Sequence, residues 1–169
     1  MPMHDELTKQ DIQKMREELE QRRNELLPQQ LEEVKRTRAF GDLSENYEYK
    51  TAKQELNRNK SRIRYLEQMI RTAHVISDRS DSDSVGLYDR VTVYMEEDDE
   101  EQIIQVVTTV RTDPRRGLIS KESPFGKAVL GAKEGDRVTV KVSDDYSYVC
   151  EIRHIEKGDD DGSAPILQY

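Results

Sequence analysis

The sequence predicts an α+β protein: an N-terminal antiparallel coiled-coil helical hairpin, then a small antiparallel β domain with a short helix. Three observations carry this. Apolar residues recur at heptad spacing through much of the first 76 positions. Past residue 86 the period changes to two, the mark of half-buried strands. Only 34% of the 169 residues are hydrophobic and 37% are charged, which suits a narrow apolar seam better than one large core.

The first helical segment runs from Thr8 to Arg38. Thr8 with Asp11 three residues later forms a capping-box pattern, with Asp in the usual Glu place. Ile12, Met15, Leu19 and Leu26 mark the apolar face, with Arg22 or Arg23 filling the missing seam position. The face resumes at Leu27, Leu31 and Val34, a slip of one residue. Pro28 accompanies the slip, because proline removes one helical hydrogen bond and crowds the turn before it. The second segment is more regular. Ala52, Leu56, Asn59, Ile63, Leu66, Ile70 and Ala73 alternate spacings of four and three. Asn59 is polar within that seam, a residue type that fixes register. Each arm of about 30 residues spans roughly 45 Å, so the turn between them lies at the far end of the hairpin.

The domains expected are a hairpin over 1–76 with its tip at 41–46, a linker over 77–86, a β domain over 87–156 and a partly disordered tail over 157–169. The linker, S-D-R-S-D-S-D-S-V-G, has little to bury. Strands are expected at Arg90–Met95, Ile103–Val110, Leu118–Lys121, Arg137–Val142 and Tyr148–Ile155. The acidic run Glu96–Glu101 joins the first two as a hairpin. Pro124–Leu130 reads as a short helix stopped by Gly131, and Lys133–Asp136 as a turn.

Composition excludes several functions. One cysteine, Cys150, forms no internal disulfide and no cysteine-based zinc site, and alternates with strand neighbours as a core residue would. His4, His74 and His154 are dispersed and show no ligand spacing. The acidic N-terminus is no signal peptide, and no apolar run nears the roughly 20 residues that span a bilayer. A soluble cytoplasmic protein is expected. Residues 1–76 carry 15 Lys and Arg against 14 Asp and Glu, while 77–169 carry 12 against 21. The second half therefore has no net attraction for nucleic acid.

The tip reads G-D-L-S-E-N-Y-E-Y from Gly41. Asp42 and Glu45 fit a D-x-x-E cap at a helix start, with Asp42 as N-cap and Glu45 reaching back. They also fit a weak Mg²⁺ site, since two hard oxygens at i and i+3 can face the same way and Mg²⁺ keeps several waters. Such a site requires another macromolecule to complete the shell. Phe40 reads as a packing residue at the tip, and Tyr47 and Tyr49 as packing across the seam. Arg58, Lys60, Arg62 and Arg64 read as two stripes of surface charge.

Two long motifs resemble one family. G-D-L-S-E-N-Y-E-Y-K-T-A-K at 41–53 and S-P-F-G-K-A-V-L-G-A-K-E-G-D at 123–136 resemble the two signatures of the bacterial Gre transcript cleavage factors, in the right order and with the helix-breaking proline, closer to the GreA-like members. The resemblance covers about Thr8 to Glu156. It implies an FKBP-like C-terminal domain that docks at the secondary channel of bacterial RNA polymerase. It also implies a hairpin that carries Asp42 and Glu45 to the active centre. There they help hold the second catalytic Mg²⁺, shared with the polymerase, while the polymerase cleaves its own backtracked RNA. The chain is then a monomeric activator and not itself an enzyme. Arg38 and Lys53 match a basic patch facing the nascent RNA 3′ end, and Ser123, Pro124 and Phe125 match the docking loop. Tyr47 departs from the family, which usually has a smaller residue there. The alternatives are a family paralogue that binds the same channel and inhibits without cleavage, and a coiled-coil or FKBP-like adaptor or chaperone.

Overall fold

The computed structural model describes residues 6–40 and 46–168. They form two compact units. One joins the residues up to Asp11 to His74–Gln168; the other is Ile12–Ala73.

The second unit is a two-helix hairpin. Helix α1 (Lys9–Gln21) starts in the first unit and continues through a π-helical turn, Arg22–Leu26, into α2 (Leu27–Arg38). Helix α3 (Tyr47–Thr72) returns along α2. The interruption expected at Pro28 is this π turn. The Leu27 N–H donates to the Arg22 carbonyl, five residues back. A π turn inserts one extra residue, which is the slip seen between Leu26 and Leu27. Pro28 then falls in the first turn of α2, directly after the π turn.

Asn59 locks this register. Its Oδ1 accepts from Arg22 Nη1 at 3.0 Å, and its Nδ2 donates to the Arg22 carbonyl at 3.4 Å. Glu18 accepts from Arg22 Nε at 2.8 Å and from Arg62 Nε at 2.9 Å. Burial alone would raise the Glu18 carboxyl, but hydrogen bonds from Arg62 and Arg22 bring it below its ordinary value. The stability this contributes is present above the unfolded pKa near 4.5 and is lost as pH falls through the lowered folded value. Of the charges read as surface stripes, Arg62 is a correction: it is buried, and the bidentate partner Glu18 makes that possible. The seam otherwise follows the heptad, with Ala52, Leu56, Ile63 and Leu66 buried. We predict that Asn59→Leu destabilises the hairpin by about 1–3 kcal/mol despite its added apolar surface. It removes the acceptor of Arg22 Nη1 and one donor to the Arg22 carbonyl, both at a buried seam position. A denaturant titration of the full chain measures this.

The first unit is built on a curled five-stranded sheet in the order β5-β4-β3-β7-β6. The strands are β3 (Arg90–Met95), β4 (Glu100–Val107), β5 (Leu118–Ser120), β6 (Arg137–Lys141) and β7 (Ser147–Glu156). Only β5 with β4 is parallel. Val91 and Val93 of β3, Ile104 and Val106 of β4, Val140 of β6, and Cys150 and Ile152 of β7 point to one face and form the core. Helix α4 (Pro124–Val129) adds Val129. Gly126 in α4 is required by close approach: a Cβ there would meet the Ser120 carbonyl oxygen at 2.0 Å. The Cys150 thiol is pushed up to about 11 by burial, as a core position requires.

Several boundaries differ from expectation. Strand β4 begins at Glu100 and ends at Val107, and Thr109–Arg111 form a 3-10 turn. A short strand, β1 (Glu6–Leu7), pairs in parallel with β2 (His74–Val75), so Glu6 and Leu7 belong to the sheet unit. The linker expected over 77–86 ends inside the core, where Val85 and Gly86 are buried and Val85 exchanges backbone hydrogen bonds with Gly131 and Ala132. The tail expected to be partly disordered is seated through residue 168. Lys157 Nζ donates to Ser80, Asp81, Ser84 and Asp89, Leu167 N–H donates to the Val110 carbonyl at 2.7 Å, and Ala164 and Ile166 are buried. The D-D-D run looks fully solvated in sequence, but its Asp160 is buried and pairs with Arg111.

Candidate functional site

The hairpin brings together the residues that bracket the tip. Asp42 and Glu45 lie outside the described residues, as does His4. What is described is how the two helices end around them. Helix α2 closes with Thr37 fully buried, its Oγ1 donating to the Glu33 and Val34 carbonyls at 2.9 and 3.2 Å. Helix α3 opens with Asn46 as N-cap: its Oδ1 accepts from Tyr49 N–H at 3.0 Å. The cap that spacing offered to Asp42 is therefore supplied by Asn46. The sequence signal for this was present, since Asn is among the strongest cap residues and stands immediately before Tyr47.

Cations and aromatics flank this end. Arg38 is exposed at the end of α2. Lys53 is exposed on α3, its ammonium 5.8 Å from the Tyr49 ring. Tyr49 is half-buried, in line with seam packing, but Tyr47 is 78% exposed, with Lys50 Nζ 5.5 Å from its ring. Phe40 is also exposed, under the Arg36 guanidinium at 5.1 Å, so it is a surface and not a packing residue. Arg36 pairs with Glu33 at 2.6 Å and holds its carboxyl below the ordinary value.

In the sheet unit, Ser123 caps α4, accepting from Gly126 N–H at 3.0 Å and donating to the Ser120 carbonyl at 2.7 Å. Pro124 is exposed in the first turn, and Phe125 packs partly against the core. Ser123 and Phe125 thus fix the loop that presents Pro124.

One cluster was not legible in the sequence. Arg111 is fully buried between two carboxylates. Its Nη1 and Nη2 donate to Asp160 at 2.7 and 2.8 Å, its Nη1 also to Asp11 at 3.0 Å, and its Nε to the Ala164 carbonyl at 2.5 Å. Asp11 serves the capping box at the same time, accepting from Thr8 N–H at 3.0 Å, while Thr108 Oγ1 donates to it at 2.8 Å. The Tyr88 ring lies 5.5 Å from the guanidinium carbon, and burial pushes the Tyr88 hydroxyl well above its ordinary value. The capping box was readable; its second use 100 residues away was not.

Among the described residues no group of three or more His, Cys, Asp or Glu could hold a metal ion. His154 lies 3.1 Å from Glu134. No helix among them is long and apolar enough to cross a membrane.

A two-helix hairpin and a five-stranded sheet unit follow one another along the chain. Residues 6–75 match the family described as "Transcription elongation factor, N-terminal", and residues 80–157 match "Transcription elongation factor, GreA/GreB, C-term". Transcription elongation factor GreA of Bacillus velezensis is 41% identical over 135 residues, 80% of this chain and 86% of that protein. GreA of Oenococcus oeni is 35% identical over 152 residues, 89% of this chain and 94% of that protein. A crystal structure of the GreA factor homolog 1 (Gfh1) protein of Thermus thermophilus aligns with 25% identity and a TM-score of 0.41, over 90% of this chain and 98% of that one. The protein is thus a transcription factor of the elongation class. The chain belongs to the GreA/GreB transcription elongation factor family.

Proposed function

We propose that this chain is an accessory factor of bacterial RNA polymerase that enters the secondary channel with the hairpin tip. In this reading it stimulates Mg²⁺-dependent cleavage of backtracked nascent RNA, with the polymerase as the enzyme. Family membership supports the transcriptional role. The observation that supports the finer reading is the Asn46 cap of α3, which leaves Asp42 and Glu45 unneeded for capping that helix. Two carboxylates at the tip would raise occupancy of a weakly held catalytic Mg²⁺. A second metal stabilises the attacking or leaving oxygen of a phosphodiester displacement. The sheet unit, read as FKBP-like, would hold the factor at the channel rim through Ser123, Pro124 and Phe125.

Arg38 and Lys53 would meet the phosphates of the RNA 3′ end. Each replaced by Ala is expected to weaken RNA retention and to reduce the salt slope of binding by about 0.7, the value for one phosphate contact on a single strand. Crosslinking of the RNA 3′ end to the factor at several salt concentrations measures both.

A second reading has one observation of its own. Tyr47 is bulky and exposed where the family usually has a smaller residue. The chain would then occupy the channel and modulate the polymerase without cleavage. The deciding experiment adds the wild-type chain, or Tyr47→Ala, to a backtracked elongation complex and follows RNA fragments alongside binding. Wild-type binding with fragment release supports the first reading. Wild-type binding without release, restored by Tyr47→Ala, supports the second. Absence of binding removes both.

A further inference from the structure

The Asn46 side chain does more than cap a helix. Its Oδ1 accepts from the Tyr49 N–H at 3.0 Å, at the open start of α3. Its Nδ2 donates to the Thr37 carbonyl at 2.6 Å, at the open end of α2. The last carbonyls and first N–H groups of any helix lack partners within it. One amide here serves both helix ends: it accepts from the Tyr49 N–H and adds a second donor to the Thr37 carbonyl, which also accepts from the Phe40 N–H at 3.2 Å. Only one orientation of the amide does this, so the network fixes its oxygen and nitrogen. Thr37 is itself immobilised: it is fully buried, and its hydroxyl is bonded back into α2. The brace therefore ties two well-held points that bracket residues 38–45 in the chain. Aspartate or serine at this position would cap α3 as well. Neither would supply the donor to Thr37: an aspartate carboxylate has no N–H, and serine is too short to reach.

We propose that Asn46 is a positioning residue for the reaction assigned to the tip. Its amide pins the C-terminal end of α2 to the N-terminal end of α3, the two helix ends that bracket Asp42 and Glu45 in the chain. This rests on the cleavage reading above. It requires no contact between Asn46 and RNA or metal. Misplacement of a reacting group by about 1 Å can cost on the order of 10²-fold in rate, so a brace at the base of the tip has a large effect without touching substrate.

The test separates the cap from the brace. Asn46→Ser in the full chain keeps the cap and removes the donor; Asn46→Ala removes both. Two readouts are taken. The first is RNA cleavage in a backtracked complex at saturating factor, with polymerase affinity measured in parallel. The second is the distance distribution between spin labels at Ala39→Cys and Lys50→Cys in a Cys150→Ala background, which needs no activity. The proposal predicts that Asn46→Ser retains thermal stability and polymerase affinity within about twofold. It also predicts a fall in maximal cleavage on the order of tenfold or more and a broader label distribution. Wild-type cleavage and an unchanged distribution in Asn46→Ser overturn it. If the wild-type chain itself does not speed cleavage, the functional reading fails by that result. The brace is then judged by the distances: broadening upholds it, and an unchanged width removes it.

Discussion

Replacing Asp42 with Asn and Glu45 with Gln together is expected to lower factor-stimulated RNA cleavage by roughly 10²-fold or more, while polymerase affinity stays within about twofold. Loss of one preorganised polar group at a transition state is felt on this scale. The replacements keep side-chain shape and remove only charge. Were these residues helix caps, alanine at both would cost stability, because losing a cap side chain to alanine destabilises by about 0.5–2 kcal/mol. Here Asn46 already caps α3. Thermal unfolding of an Asp42→Ala/Glu45→Ala variant is thus expected to match wild type, and a clear fall in its Tm would return the pair to a structural role.

The largest effect on stability is expected from Arg111→Met. Removing the cation leaves Asp11 and Asp160 buried without it, and breaking a buried pair from one side costs about 3–5 kcal/mol. For a unit of this size the Tm should fall by more than about 10 °C. Asp160→Asn should cost less, because Asp11 still faces the guanidinium. An Arg111→Met variant that melts with the wild type would show that the cluster is replaceable. The comparison also weighs the C-terminal segment, since Asp160 and Ala164 are its main attachments to Arg111.

What the sequence disclosed follows the periodicity. The heptad seam of α3 and the β strands were legible because burial repeats along them at a fixed spacing. Strand β3 falls on Arg90–Met95 as expected. The one-residue slip before Pro28 pointed to an irregular turn, though not to its π form, which depends on the Arg22 carbonyl having Leu27 and Asn59 as partners. Three features escaped because their partners are distant. Arg62 looked like a surface charge until Glu18 was brought across from α1. Asp160 sits in a run that composition assigns to solvent, yet pairs with a buried arginine 49 residues earlier. Asn46 was overshadowed by the acidic pair beside it. A cap to one helix is local and readable; a bond to the end of another helix requires the turn to be closed.

For the tip, the motif points to Asp42 and Glu45, and the structure describes the helix ends on either side of them. Asn46 accounts for the helix start and Thr37 for the end of the preceding helix, and Tyr47 stands exposed beside them. We propose that the tip carboxylates act through a metal held weakly by the polymerase. The most direct test is the Mg²⁺ dependence of RNA cleavage in a backtracked complex, measured without factor, with wild type and with the Asp42→Asn/Glu45→Gln variant. The account predicts that wild type moves half-maximal cleavage to lower Mg²⁺ and that the double variant leaves it at the factor-free value. A wild-type chain that binds and leaves both the rate and its Mg²⁺ dependence unchanged would contradict it.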